Sequence, residues 1–259
     1  MSYRSKALGM DVCLSIILPE IAKTSELAGA PEGKFKTLYL LHGLSGDHRS
    51  WQRFTAIERY AAKHKIAVVM PGVQRSWYAD TVYGMKYFTF ITEELPYVFR
   101  SYFKGASEER RDNYIGGLSM GGYGALKAAL TYPERYAGVI SLSGALDITR
   151  RGRSYNLDDW RSIFDFDMQD AIELGGGEND LFKLLSDRVG EKRAMPDMYI
   201  WCGTEDTLYP INEKFSAQLT EYGVSHTFKA SEGDHTWMWW DKHIEAALDE
   251  MFRNTQKSV

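Results

Sequence analysis

One serine of this chain sits where the backbone has little steric room. In the stretch YIGGLSMGGYGALKAAL, residues 114–130, an apolar run ends at paired glycines, Ser119 follows almost at once, and apolar residues then recur at helical spacing. The pattern predicts a strand turning sharply into a helix with Ser119 at the apex. Such a turn strains the serine backbone, and Gly117 and Gly121, two positions to either side, remove the side chains that would collide. Strand, Gly-x-Ser-x-Gly and helix in that order form a nucleophile elbow. The turn lifts the hydroxyl clear of the sheet, and the helix start aims free amides and its positive dipole end toward it. A helix-capping serine at a tight junction shares the local pattern, but the strand before it and the helix after it favour chemistry.

A serine hydroxyl is a weak nucleophile near neutral pH, so a histidine must take its proton and a carboxylate must hold that histidine in the right tautomer. After a strand-to-helix elbow the expected chain order is serine, acid, histidine. The six histidines are His42, His48, His64, His226, His235 and His243, and the last three lie far enough downstream. His226 falls inside a predicted strand and His243 on a helix face, whereas His235, in SEGDHTW, lies in the loop after the last strand. His235 is therefore the candidate base. For the acid, WCGTEDTLYP offers Asp206 first and Glu205 as its nearest competitor, with Asp147 in SGALD one strand earlier. Asp234 is adjacent to His235 in sequence, a poor geometry for an orienting bond. The developing oxyanion needs backbone donors. Met120, directly after the serine, supplies one, and Leu44 in LLHGLSGDHRSW supplies the other, with His42 shaping that loop.

The elements that position these residues follow from periodicity. Short β-branched or aromatic runs at 11–19, 37–43, 66–72, 113–117, 137–144, 198–203 and 226–230 predict strands. Helical spacing over 50–64, 91–103, 120–131, 211–222 and 237–252 fills most of the gaps. Strand and helix in alternation predict an α/β fold with a mainly parallel sheet covered on both faces. Residues 74–90 are aromatic and polar without a covering-helix pattern, and about 147–192 reads as a small insertion of short helices and loops. Insertions at the carboxyl ends of parallel strands are where such sheets place ligands.

With 259 residues and no Pro-rich linker or internal repeat, residues 1–259 read as one domain. The 31 Lys and Arg are outnumbered by 35 Asp and Glu with no long basic run, which speaks against a nucleic-acid partner. No apolar stretch reaches the ~18 residues of a membrane span, and the N-terminus lacks a basic region followed by a long apolar one, so neither a membrane nor an export signal is expected and the cytosol is. The two cysteines, Cys13 and Cys202, read as buried thiols and not as a disulfide framework. DFDMQD lacks the glycine and distal glutamate of a calcium loop, and GGGEND lacks the Lys-Ser or Lys-Thr of a phosphate loop. No metal and no organic cofactor is implied; the expected partner is a small-molecule ester, and a homo-oligomer is compatible with the sequence.

HGLSG, GLSMGGYGAL, GTED and GDHTW, in that order and spacing, resemble the esterase D-like branch of the α/β-hydrolases. Within it the chain is similar to the tributyrin esterase or acetylesterase group, with feruloyl esterases as relatives, and the likeness spans nearly the whole chain. The resemblance implies Ser119, Asp206 and His235 as a triad and Leu44 and Met120 as oxyanion donors, which strengthens Asp206 over Asp147. S-formylglutathione hydrolases usually carry Ser-Gly-Leu-Thr-Cys where this chain has HGLSG, and a histidine where it has Tyr123, which makes glutathione thioesters a weaker expectation. The aromatic loop SWYADTVY offers Trp77 and Tyr83 as substrate-lining residues, with packing onto the sheet as the rival role. WMWW, residues 237–240, reads as packing its own helix. No long amphipathic lid is visible, so a compact pocket for short acyl chains is expected. The expected activity is that of a serine carboxylesterase working through an acyl-enzyme. Three alternatives accompany it: a feruloyl or acetylated-carbohydrate esterase, an S-formylglutathione hydrolase-like thioesterase, and a non-catalytic binding module of the same fold.

Overall fold

The computed structural model describes residues 1–20, 33–149, 157–164 and 175–252. Eight strands form one sheet: β1 (Ser2–Arg4), β2 (Asp11–Ile17), β3 (Thr37–Leu41), β4 (Ala67–Pro71), β5 (Asn113–Leu118), β6 (Gly138–Leu142), β7 (Asp197–Gly203) and β8 (Thr227–Ser231). Their spatial order is β1-β2-β4-β3-β5-β6-β7-β8. β1 and β2 pair antiparallel at one edge, and every pairing from β4 to β8 is parallel. The seven expected strands are present; β1, three residues long, gives too short a pattern to read from sequence.

The parallel strands β3 to β6 are buried on both faces, as their unbroken apolar runs require. Alternate residues feed two cores: Tyr39, Leu41, Val69, Ile115 and Val139 face one side, while Leu38, Leu40, Val68, Met70 and Ile140 face the other. On the first side lie α3 (Tyr87–Thr89), α4 (Leu95–Tyr102), α5 (Met120–Thr131), α7 (Leu181–Gly190) and α8 (Tyr209–Glu221). On the second lie α1 (Ser50–Phe54), α2 (Ile57–His64) and α9 (Trp237–Met251). A short α6 (Leu157–Phe164) packs Trp160 and Ile163 into the first core.

Some expectations change. The single helix expected over 50–64 is two, because Thr55 is extended (φ −139°, ψ 168°) and the Ala56 amide donates 2.9 Å to Asp241 of α9 instead of to its own helix. The stretch expected as a helix over 91–103 begins with a π-helical turn, Phe90–Glu94. Cys13, expected buried, is exposed: β2 alternates, and Cys13 shares the solvent face with Asp11 while Val12 and Leu14 point inward. Cys202 is buried. GGGEND is a docking strap. Asp180 caps α7 by accepting from the Phe182 and Lys183 amides, and Asn179 accepts from buried Lys127 at 2.6 Å while its carbonyl takes the Tyr123 hydroxyl at 3.0 Å, both from α5. DFDMQD lies outside the described residues, as does much of the expected insertion.

Candidate active site

Strand order reverses at β3, which lies between β4 and β5, so the loops leaving β3 and β5 part in opposite directions and open a crevice at their carboxyl ends. Leu41 pairs with Gly117 across that boundary, which sets the HGLSG loop beside the elbow. At the other end of the parallel sheet Gly203 pairs with Ser231, which sets the TED loop beside the loop of His235.

Ser119 caps α5 with φ +54° and ψ −118°, the strained conformation expected at the apex. Its N–H donates to the Leu142 carbonyl at 2.9 Å, and its own carbonyl accepts from Tyr123 and Ala145, each at 3.1 Å. The glycines are needed for close approach. A Cβ on Gly117 would lie 2.5 Å from the Gly121 backbone, and one on Gly121 would strike the Leu41 carbonyl.

His235 Nε2 lies 3.0 Å from Ser119 Oγ, and His235 Nδ1 lies 2.7 Å from Asp206 Oδ2. With Nδ1 protonated toward the carboxylate, Nε2 is free to accept the serine proton. The Asp206 side chain is fully buried. Burial raises its pKa, but the His235 hydrogen bond, the Leu208 amide at 2.8 Å, the His235 charge and the Ser143 hydroxyl together outweigh it, so the carboxyl titrates below the usual aspartate value. It stays ionised where it faces the imidazole.

The rival groups are otherwise engaged. Glu205 is exposed and accepts the Gly233 amide, while the Glu205 amide donates back to the Gly233 carbonyl at 3.0 Å. It ties the two loops together. Asp147 accepts from Thr149 (N–H at 3.1 Å, O–H at 2.6 Å), and Asp234 from the Thr236 hydroxyl at 2.6 Å. His42 is buried, donates from Nδ1 to the Gly43 carbonyl at 2.7 Å and accepts the Val73 amide at Nε2, 3.0 Å; burial lowers its pKa and keeps it neutral. It fixes the shape of the loop that carries Leu44. Of the other histidines, His64 meets Asp249, His226 meets Ser216, and His243 stacks on Trp201 at 3.9 Å.

Gly43 passes directly over the elbow: a Cβ there would stand 2.6 Å from Leu118 Cδ1 and 3.4 Å from Ser119 Cβ. Leu44 follows it along the wall of the cleft, and Met120 opens α5, so both amides belong to segments that border the Ser119 hydroxyl.

The cleft holds about 1200 Å³, more than the compact pocket expected, because α1 adds a rim of Gln52, Arg53 and Phe54. Trp77 lines it, buried and stacked on Trp160 at 5.3 Å, with φ +51°. It lines and packs at once. Tyr83 does not line it: the turn closed by Thr81 N–H to the Met85 carbonyl, 2.9 Å, carries that side chain outward to 70% exposure. Trp237 and Trp240, taken from sequence as helix packing, both line the cleft, and Trp240 meets the His235 ring edge-on at 4.9 Å. Their i, i+3 spacing directly after the histidine was the available signal. Among the described residues, no three His, Cys, Asp or Glu side chains are grouped to hold a metal ion, and no helix is long and apolar enough to cross a membrane.

The eight-stranded, mostly parallel sheet with helices on both faces and a strained serine elbow at the reversal of strand order defines an α/β-hydrolase. The chain belongs to the family described as putative esterase, which matches residues 5–251. It is similar to an acetyl esterase of Caldicellulosiruptor saccharolyticus, 31% identical over 97% of this chain and 96% of that one. Among solved structures it is similar to a fluorophosphonate-binding serine hydrolase of Staphylococcus aureus, FphF, with substrate bound (35% identity, TM-score 0.86, covering 97% of this chain and 96% of that one). It is also similar to an S-formylglutathione hydrolase, FrmB, from Staphylococcus aureus (35% identity, TM-score 0.84, 97% of both chains). The enzyme is a carboxylic ester hydrolase.

Proposed function

We propose that this enzyme hydrolyses small carboxylic esters of short acyl chains, of the tributyrin or acetyl ester kind, through an acyl-enzyme on Ser119. The observation that carries this reading is the unbroken line Ser119–His235–Asp206, 3.0 Å and 2.7 Å, rising from the carboxyl ends of β5, β8 and β7 of one sheet. Ser119 Oγ attacks the ester carbonyl as His235 Nε2 takes its proton. The Leu44 and Met120 amides hold the developing oxyanion, with the N-terminus of the twelve-residue α5 adding its dipole. His235, now an imidazolium held by ionised Asp206, returns the proton to the leaving alcohol. Water then enters on the same path, His235 acts again as base, and the acid leaves. The similarity to an acetyl esterase over nearly the full chain supports the short acyl group, and Trp77, buried in the cleft lining and stacked on Trp160, supports selection by size, at ~1 to 3 kcal/mol per methylene.

The test is hydrolysis of p-nitrophenyl acetate, butyrate and octanoate by wild type and Ser119→Ala, with mass spectrometry after a fluorophosphonate probe. The acetate and butyrate are expected to turn over fastest, with one adduct on Ser119 and neither turnover nor adduct in the variant. A folded wild type that shows neither would return the elbow to a structural role.

The 35% identity with an S-formylglutathione hydrolase favours a second reading, in which the same three side chains open a thioester. S-formylglutathione assayed beside p-nitrophenyl acetate separates the two: a kcat/KM at least tenfold higher for the thioester would select it.

A further inference from the structure

The catalytic cleft is walled from both faces of the sheet. Trp77 belongs to the first core, whereas Trp237 packs on the second, and Phe54 stacks on Trp237 with ring centroids 5.0 Å apart and planes inclined by 27°. The Trp237 and Phe54 wall is held in place from several sides. Trp51 and Trp240, both buried, each meet the Trp237 ring edge-on at 5.3 Å. The Trp51 Nε1–H donates to the Leu41 carbonyl at 3.0 Å, and just past the end of α1 Asp241 takes the Ala56 amide. Phe54 nonetheless stays 45% exposed, so an aromatic side chain fixed on the rim keeps ring surface open to a second ring. Charge on this wall is uneven. Asp47 and Arg49 neutralise each other, with Arg49 Nε and Nη2 donating to Oδ2 at 3.0 and 2.7 Å, and Gln52 donates to Glu58 at 2.6 Å. Arg53 has its guanidinium 5.0 Å from the Phe54 ring centroid and, among the described residues, no carboxylate within ion-pair distance. The chain as a whole carries a formal charge of −4, so this positive charge acts on what the cleft holds and not as part of a general attraction for anions.

We propose that Phe54, Trp237 and Arg53 form the leaving-group subsite, and that the ester it selects has an aromatic alcohol whose ring bears an acidic group. His235 decides which half of the cleft takes which half of the ester. Its Nε2 must return a proton to the leaving oxygen, so that oxygen sits within hydrogen-bond reach of it. The chain runs from His235 through Thr236 into Trp237, all three on the cleft wall, so the alcohol half lies along Trp237 and Phe54 while the short acyl group takes the Trp77 side. The ring packs on the two aromatic side chains and Arg53 meets the anion at its far edge. As the acyl–oxygen bond breaks, His235 gives its proton to the phenolic oxygen and the acyl group stays on Ser119 for water to release. The inference rests on the reading of Ser119, His235 and Asp206 as the catalytic line.

The experiment measures kcat and KM for three acetate esters, 4-acetoxybenzoate, the neutral 4-acetoxybenzamide and ethyl acetate, in wild type, Arg53→Gln, Phe54→Ala, Arg59→Gln and Ser119→Ala. Each variant is compared with wild type on the same ester, so the intrinsic reactivity of the leaving group cancels. Arg53→Gln is expected to lower kcat/KM about tenfold for 4-acetoxybenzoate, mainly through KM, and less than about threefold for the amide. Phe54→Ala should lower kcat/KM about fivefold for both aryl esters and less than about twofold for ethyl acetate. Arg59→Gln makes the same change of charge on α2, away from the residues that line the cleft, and should alter none of the three. The product 4-hydroxybenzoate should protect wild type from fluorophosphonate labelling at a concentration about tenfold lower than Arg53→Gln requires, a readout that needs no ester turnover. Equal effects of Arg53→Gln on the charged and neutral aryl esters, or of Phe54→Ala on the aryl and ethyl esters, would overturn the proposal and leave this wall as packing while the catalytic line stands. If folded wild type takes no label on Ser119, or Ser119→Ala still turns over, the catalytic line itself is wrong and this inference falls with it.

Discussion

At the scale of the residue, two neighbouring acids do different work. Asp206 is buried and aimed at His235, while Glu205, one position earlier, is exposed and spends its carboxylate on the Gly233 amide. Asp206→Asn should therefore lower kcat about 10³- to 10⁴-fold, because an amide can donate to Nδ1 and so favours the wrong imidazole tautomer. Glu205→Gln should cost less than about tenfold, and its effect should be on Tm more than on kcat, because an amide oxygen can still accept from Gly233. Steady-state kinetics and melting curves on the two variants check this. Equal losses in kcat would mean that the two carboxylates share the task. Both acids stand in one short motif, and nothing local separates them. What separates them is the direction in which the loop leaves β7.

At the scale of the element, loops that leave adjacent strands must pack almost backbone to backbone. Gly203 ends β7 where a Cβ would overlap the Gly233 carbonyl, and Gly233 has φ +146°, so both positions need glycine. This contact seats the loop of Asp206 against that of His235. Gly203→Ala is expected to destabilise the protein by about 1–3 kcal/mol or more through overpacking. It should also lower kcat beyond what the lost stability explains, since the hydrogen bond between the two loops must lengthen. Urea unfolding and kinetics at a temperature well below Tm separate the two effects. A variant with wild-type stability and activity would show that the loops are free to part. The strands and the elbow helix were legible because side-chain periodicity acts over a few residues. The break at Thr55 was not, since the group that takes the Ala56 amide, Asp241, is 185 residues away.

At the scale of the whole molecule, burial of neutral histidines sets an acid limit on the fold. His243, stacked on Trp201 in the second core, has its pKa lowered to about 4, first by burial and then by Lys242 and Lys229; burial also lowers His42 and His64. An unfolded histidine titrates near 6.5, so between about pH 6.5 and pH 4 the unfolded chain binds more protons and stability falls as pH falls. His243 by itself accounts for roughly 2 kcal/mol between about pH 6.5 and pH 5. His243→Phe, which keeps a ring against Trp201, should flatten that part of the stability profile, measured by urea midpoints at pH 7 and pH 5; an unchanged slope would place the acid sensitivity elsewhere. The sequence by itself determined the alternation of strand and helix, the elbow around Ser119 and the loop positions of His235 and the oxyanion segments, because each is written in contacts within a few residues. The sequence already put Asp206 ahead of Glu205, and the structure supplied the contact that separates them; tertiary structure alone decided that Trp77 lines the cleft while Tyr83 leaves it, that Trp240 serves the site as well as its helix, and that Cys13 is exposed. Each of these depends on how chain segments far apart in sequence meet across the sheet, and local spacing carries no record of that meeting.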